Sequence, residues 1–93
     1  MGKGRRFLER LAEESDVENI PGQPIVEIAG TQRVLIENHF GVMGYSRERI
    51  LVKVAYGCVC VCGCSLELLR MTKEQLVIRG RIDDVSLQRR DRG

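Results

Sequence analysis

Residues 49 to 63 read RILVKVAYGCVCVCG. Apolar residues occupy every second position of the first half. Ile50, Val52, Val54 and Tyr56 share one face, while Arg49, Leu51, Lys53 and Ala55 share the other. A period of two belongs to a β-strand with one buried face, because successive side chains point to opposite sides. The second half keeps the period but fills one face with thiols: Cys58, Cys60 and Cys62, with Cys64 next in line.

Working outward, the same rhythm holds from Pro24 to Gln88. The runs are PIVEIAG, RVLIEN, GVMGYS, RILVKVAY, CVCVCG, LELLR, QLVIRG and RIDDVSLQ. Short β-like runs separated by polar or glycine positions predict an all-β domain. Between two of them, YSRERI reads as a charged turn. NHFG, residues 38 to 41, reads as a hairpin connection in which Asn and Gly supply the turn geometry. The N-terminal side differs. Residues 4 to 15, GRRFLERLAEES, put Phe7, Leu8, Leu11 and Ala12 on one helical stripe. DVENIPGQP then ends the helix with Pro21, Gly22 and Pro24. The expected fold is mainly β: a small antiparallel β-roll or sandwich of about seven or eight short strands with one short N-terminal α-helix. Residues 1–19 would be the amphipathic helix and linker, and residues 20–93 the β domain.

Ninety-three residues make one small domain with a modest core. With no Trp and only Phe7, Phe40, Tyr45 and Tyr56 as aromatics, that core must come from Val, Ile and Leu. A net charge of +2 is too small to argue for nucleic acid as a partner. Basic residues gather at the ends, as Lys3, Arg5, Arg6 and Arg10 and as Arg89, Arg90 and Arg92, and are read as solvated tails. The opening MGKGRRFLER lacks an apolar segment behind its charges, so no signal peptide is expected. The apolar stretches are too short and interrupted for a membrane span. The expectation is a cytosolic chain with reduced thiols.

The pattern apolar-x-apolar-x-Gly occurs three times, ending at Gly30, Gly63 and Gly80. Glycine at the end of a short strand permits a bulge, a sharp bend or a positive φ. These glycines are read as corners where a strand ends or turns into the next layer.

The four cysteines alternate with Val59, Val61 and Gly63, so an extended strand points all four thiols to one face. Neighbouring Cα atoms are then about 6.8 Å apart, and the first and last roughly 20 Å apart. A straight strand cannot wrap four sulfurs around one tetrahedral ion at about 2.3 Å. Parallel side chains are poor geometry for a disulfide between neighbours. Three readings remain. Cysteine serves as a small hydrophobe on a partly buried face, which is the preferred one. A pair such as Cys62 and Cys64 bends around Gly63 and chelates a soft metal with a ligand from another chain. Or the row is a redox or thiol-transfer face. His39, the single histidine, is read as a turn or surface residue, not a ligand. Asp83 and Asp84 are read as a turn or bulge, because strand neighbours point to opposite faces. With no nucleophile elbow, phosphate loop or metal-protease motif, no enzyme and no cofactor are expected.

Residues 36 to 50, IENHFGVMGYSRERI, resemble the YabP/YqfC family of sporulation proteins, and its YqfC-like branch in particular. The opening Pro-x-apolar-x-apolar-x-Gly pattern falls on Pro24, Val26, Ile28 and Gly30. An Ile-Glu-Asn-His run with a Gly and an aromatic falls on Ile36, Glu37, Asn38, His39, Gly41 and Tyr45. A strand and glycine follow at Ile50 and Gly57, and then Val59, Val61, Gly63 and Leu66. The close is Leu76, Ile78, Gly80 and Ile82. The resemblance spans the chain from about residue 20 onward, and order and spacing carry it more than any single motif. The pattern uses Val59, Val61 and Gly63, so the thiols lie on the parity it leaves free. The resemblance implies a non-enzymatic protein of the mother cell in an endospore former, acting as an interaction or adaptor domain beside a membrane-embedded sporulation partner. It implies a cytoplasmic location, with peripheral attachment at the forespore outer membrane as the variant. An unpaired strand edge also offers homo-oligomer contacts. The rival is a metal- or thiol-handling protein using Cys58, Cys60, Cys62 and Cys64.

Overall fold

A computed structural model describes residues 22 to 90. The helix expected over residues 4 to 15 lies outside the described residues. The described chain is all β, with six strands: β1 (Ile25–Ala29), β2 (Arg33–Glu37), β3 (Val42–Tyr45), β4 (Arg49–Val54), β5 (Gly57–Met71) and β6 (Gln75–Arg89). They form one sheet in the order β1-β2-β6-β5-β4-β3, and every pairing is antiparallel. Among the described residues, no helix is long and apolar enough to cross a membrane.

The eight runs of the sequence therefore become six strands instead of seven or eight. CVCVCG and LELLR are two halves of β5, and QLVIRG and RIDDVSLQ are two halves of β6. The hydrogen-bonded ladder continues through both glycines, because bulges let it bend without breaking.

That bent hairpin organises the molecule. The first half of β5 pairs with β4, and the first half of β6 pairs with β2. Val34, Ile36, Leu66, Leu76 and Ile78 from one half of the sheet join Ile50, Val52, Val54, Val59, Val61 and Ile82 from the other in a single buried cluster. The sheet is folded over on itself as a two-layered roll, and the inner faces of its halves bury each other. Each fully buried Val, Ile or Leu contributes on the order of 1.5–3 kcal/mol. The expected inward set of β4, Ile50, Val52 and Val54, is buried as its alternation requires.

Two corners make the fold-over. At Gly63 a Cβ would sit 1.9 Å from the Arg81 carbonyl oxygen, so only glycine admits this approach of β6 to β5. Gly80 has φ 142°, and a Cβ there would lie 2.6 Å from the Ser65 carbonyl oxygen. Ser65 itself is left-handed at φ 55°, which turns β5 over so that Leu66 enters the core. Each corner is held by a turn. In the β1–β2 turn, the Gln32 and Thr31 carbonyls accept from Gly80 N (3.2 Å) and Ile82 N (2.8 Å). In the β3–β4 turn, the Glu48 and Arg47 carbonyls accept from Gly63 N (3.0 Å) and Leu66 N (2.9 Å). Glycines read as corners are thus corners at residues 63 and 80, while Gly30 sits in the β1–β2 turn.

NHFG is not a hairpin connection. β2 pairs with β1 and β6, and β3 pairs with β4, so residues 38 to 41 cross from one layer to the other. Asn38 (φ 64°) and Gly41 (φ 116°) do supply the turn geometry.

Candidate functional site

Three places in the roll hold residues that the sequence singles out: the crossover at His39, the thiol row on β5 and the free edge at β3.

The crossover is built from IENH. Gln75 Nε2 donates to Glu37 Oε2 at 3.0 Å. Asn38 N donates to the Glu74 carbonyl at 2.7 Å, and its Nδ2 to the Gln23 carbonyl at 2.8 Å. His39 is 8% exposed. Its Nε2 lies 2.9 Å from the Thr72 carbonyl oxygen, and Gly41 N–H donates to its Nδ1 at 2.9 Å. A carbonyl only accepts and an amide N–H only donates, so the ring is the neutral tautomer with its proton on Nε2. Both nitrogens are used in tying the crossover to the β5–β6 turn. His39 is a structural clamp, buried and not on the surface.

The thiols take the outer face of their half, as alternation requires. Val59 and Val61 are fully buried in the core, and Cys58, Cys60 and Cys62 stand opposite Lys53, Leu51 and Arg49 on β4. Cys60 is nevertheless only 3% exposed. Its Sγ lies 3.6 Å from Cys62 Sγ, and Arg49 Nε donates to it at 3.4 Å. Cys58 Sγ donates to Gln88 Oε1 at 3.5 Å. The pair that closes is thus Cys60 with Cys62; Cys64 makes no hydrogen bond among the described residues. All four thiols are free. The hydrogen bond to Cys60 pushes the Cys62 thiol above its ordinary pKa of 9.0; burial and the nearby Cys60 and Asp84 add to the rise, and Arg49 opposes it. A separate hydrogen bond, from Arg49 to Cys60, raises the Arg49 guanidinium further. The arrangement places Cys60 Sγ between the Arg49 guanidinium and the Cys62 thiol. Among the described residues no group of three His, Cys, Asp or Glu side chains is arranged to hold a metal ion.

Asp83 is the unpaired residue of a bulge: Cys62 faces Asp84 and Gly63 faces Ile82. The acidic pair is a bulge, as its sequence suggests.

The edge of β3 is the exposed apolar part. Val42 faces Val52 and Gly44 faces Leu51, so Met43 is the extra residue of a bulge and turns outward. Phe40, Met43 and Tyr45 are 62%, 59% and 55% exposed. A groove of about 550 Å³ runs from Phe40 and Met43 past Lys53 to Cys58 and Arg89. Reading the sequence for chemistry passes over Phe40, Met43 and Arg49. The signal for the first two is their place beside Gly41 and Gly44, in a run too short for a full core face. Nothing local marks Arg49, whose partner comes from the next strand.

Comparison with known proteins adds one finding. The family model described as the YabP family matches residues 22–93. No curated protein and no solved structure matches the chain.

Proposed function

The chain belongs to the YabP family and is a sporulation-related protein, and from that premise we propose that it acts as a non-enzymatic contact domain in the mother cell. Its partner is a membrane-embedded sporulation protein, and the domain meets it from the cytoplasmic side. The observation that carries this reading is the β3 edge. Among the described residues β3 has a strand on one side only, and its Met43 and Tyr45 stand in the open beside Phe40 of the crossover. An unpaired edge extends readily by main-chain hydrogen bonds to a further strand, and exposed apolar side chains give such a contact its selectivity. The buried polar side chain among the described residues supports a contact role over catalysis: His39 spends both ring nitrogens on backbone.

The test is complementation in a sporulating endospore former that lacks this protein. The wild-type chain should restore heat-resistant spores. The triple variant Phe40→Ser, Met43→Lys, Tyr45→Ser should accumulate as a folded protein and fail to restore them. Full restoration by the triple variant would remove the β3 edge from the function.

A further inference from the structure

We propose that one end of the roll docks on an anionic lipid surface, with Phe40, Met43 and Met71 entering the headgroup layer and Lys53, Lys73 and Arg89 meeting lipid phosphates.

The end concerned is the one away from the corners. Four pieces of chain meet there: the crossover at residues 38 to 41, the β4–β5 turn, the β5–β6 turn and the last residues of β6. Backbone hydrogen bonds join them. Phe40 N donates to the Lys53 carbonyl at 2.7 Å, Lys53 N to the Gly41 carbonyl at 2.8 Å, and Arg90 N to the Tyr56 carbonyl at 2.7 Å. His39 ties the crossover to the β5–β6 turn through the Thr72 carbonyl. The fold therefore fixes what this end shows to solvent.

Two grooves meet at Phe40. One, of about 550 Å³, is lined by Met43, Lys53, Arg89 and Arg90. The other, of about 670 Å³, is lined by Met71, Thr72, Lys73 and Glu74. Phe40, Met43 and Met71 are each more than half exposed. Large apolar side chains gathered in water mark a contact surface. Among the described residues lining the two grooves, Glu74 is the one carboxylate, against four cations. The opposite end is different. Its turns are Gly30, Thr31 and Gln32 and Ser46, Arg47 and Glu48, and Arg81 lies 4.0 Å from Asp83. Charges of both signs mix there, and the turns bring no apolar side chain.

The cations choose the partner. An apolar cluster alone suits any apolar surface, but a rim of Lys and Arg adds attraction to a layer of phosphates. Each such residue near an anionic membrane gains about fivefold in partition. Their long stems lie along apolar neighbours while the charged heads reach the headgroups. An acidic protein strand would also attract the cations, but a strand added to the sheet follows β3. Met71 lies on β5, which has β4 on one side and β6 on the other, so such a strand does not reach it. A fluid headgroup layer conforms to side chains carried by separate turns.

The experiment sediments the full chain with vesicles of phosphatidylglycerol and phosphatidylcholine in equal parts, and with vesicles of phosphatidylcholine alone. Binding should be at least about tenfold stronger to the anionic vesicles. Raising salt from about 0.1 M to about 1 M shortens the screening length from about 10 Å to about 3 Å and should release most of the chain. The variant Lys53→Gln, Lys73→Gln, Arg89→Gln should lose about a hundredfold in binding. Phe40→Ser with Met71→Ser should lose at least about tenfold. Tyr45→Ser, outside both grooves, should bind as the wild type does. All the substituted side chains are exposed, and circular dichroism checks that each variant folds. No binding to anionic vesicles overturns the proposal, as does equal binding to both kinds. Undiminished binding by the triple variant overturns it too, by giving the attraction to the basic chain ends. Capture by polyglutamate but not by vesicles overturns it in favour of an acidic protein. The vesicles hold no protein, so this result stands apart from the partner contact proposed above.

Discussion

The two halves of the folded sheet share a plan and differ in what they show the solvent. In the half built on β1 and β2, polar side chains of the outer face meet one another: Arg79 pairs with Glu67 at 2.9 Å, and Gln75 donates to Glu37 at 3.0 Å. In the half built on β3 and β4, the outer face carries sulfur, and Arg49 meets Cys60 at 3.4 Å. The exposed ion pair contributes on the order of 0–1 kcal/mol and offers no chemistry. The other half instead sets a guanidinium beside two free thiols. The edges diverge in the same way. β1 pairs with β2 in unbroken register and exposes Ile28, whereas β3 is bulged at Met43 and exposes Met43 and Tyr45. One half behaves as a scaffold, and the other presents the bulged edge and the thiols.

The sharpest way to break that comparison is at the corners, since both halves depend on them. Gly63→Ala and Gly80→Ala should each cost more than about 3 kcal/mol, because the added methyl would overlap backbone that cannot withdraw. Gly30→Ala places its methyl in open space at φ 60° and should cost only about 1–2 kcal/mol. Urea unfolding of the three variants orders them; equal costs would show that Gly63 and Gly80 are turn glycines and not corners.

A smaller effect is expected at the crossover that joins the halves. His39→Ala strips partners from Gly41 N–H and the Thr72 carbonyl and should cost about 1–3 kcal/mol. Hydrogen exchange should quicken at Gly41 and through the β5–β6 turn before it quickens at Val59 or Val61. Uniform quickening would mean that the halves unfold together, with no separate clamp.

The smallest effect is a pH dependence in the thiol-bearing half. Burial raises the Tyr56 phenol above its ordinary 10.0; Arg89 opposes the rise and Cys58 adds to it. A folded-state pKa above the unfolded one gives stability that is whole below pH 10.0 and is lost as pH rises through the folded value. The urea midpoint should therefore fall above pH 10, and Tyr56→Phe should reduce that fall. Cys62 adds loss of the same sign from its own ordinary 9.0 upward. Phenolate absorbance separates the two, since only tyrosine contributes there. An unchanged slope in Tyr56→Phe would assign the whole effect to other groups.

Much of the fold is legible in the chain. Period-two alternation in RILVKVAY gives the buried face of β4, and parity alone puts Val59 and Val61 inside and the thiols outside. The turn at YSRERI follows from a serine side chain: Ser46 Oγ accepts from Glu48 N and Arg49 N at 3.2 and 3.0 Å. Strand count is not legible in the same way, because a glycine that ends a strand and one that bends it look alike in sequence. The thiol site is legible only in part. Four alternating cysteines announce a row, but not that Cys60 and Cys62 close on each other or that Arg49 joins them.

What the sequence determined by itself was what neighbours along the chain set: the β class, the inward face of RILVKVAY and of the cysteine run, the turn at YSRERI, and glycine at the corners. These depend on side-chain alternation and on φ and ψ, which are local. The tertiary structure decided which runs fuse into long strands, that NHFG crosses between layers, and which thiols meet a guanidinium. Those outcomes depend on strand register and on one layer closing over the other. Contacts of that kind form between residues distant in sequence, so no local pattern encodes them.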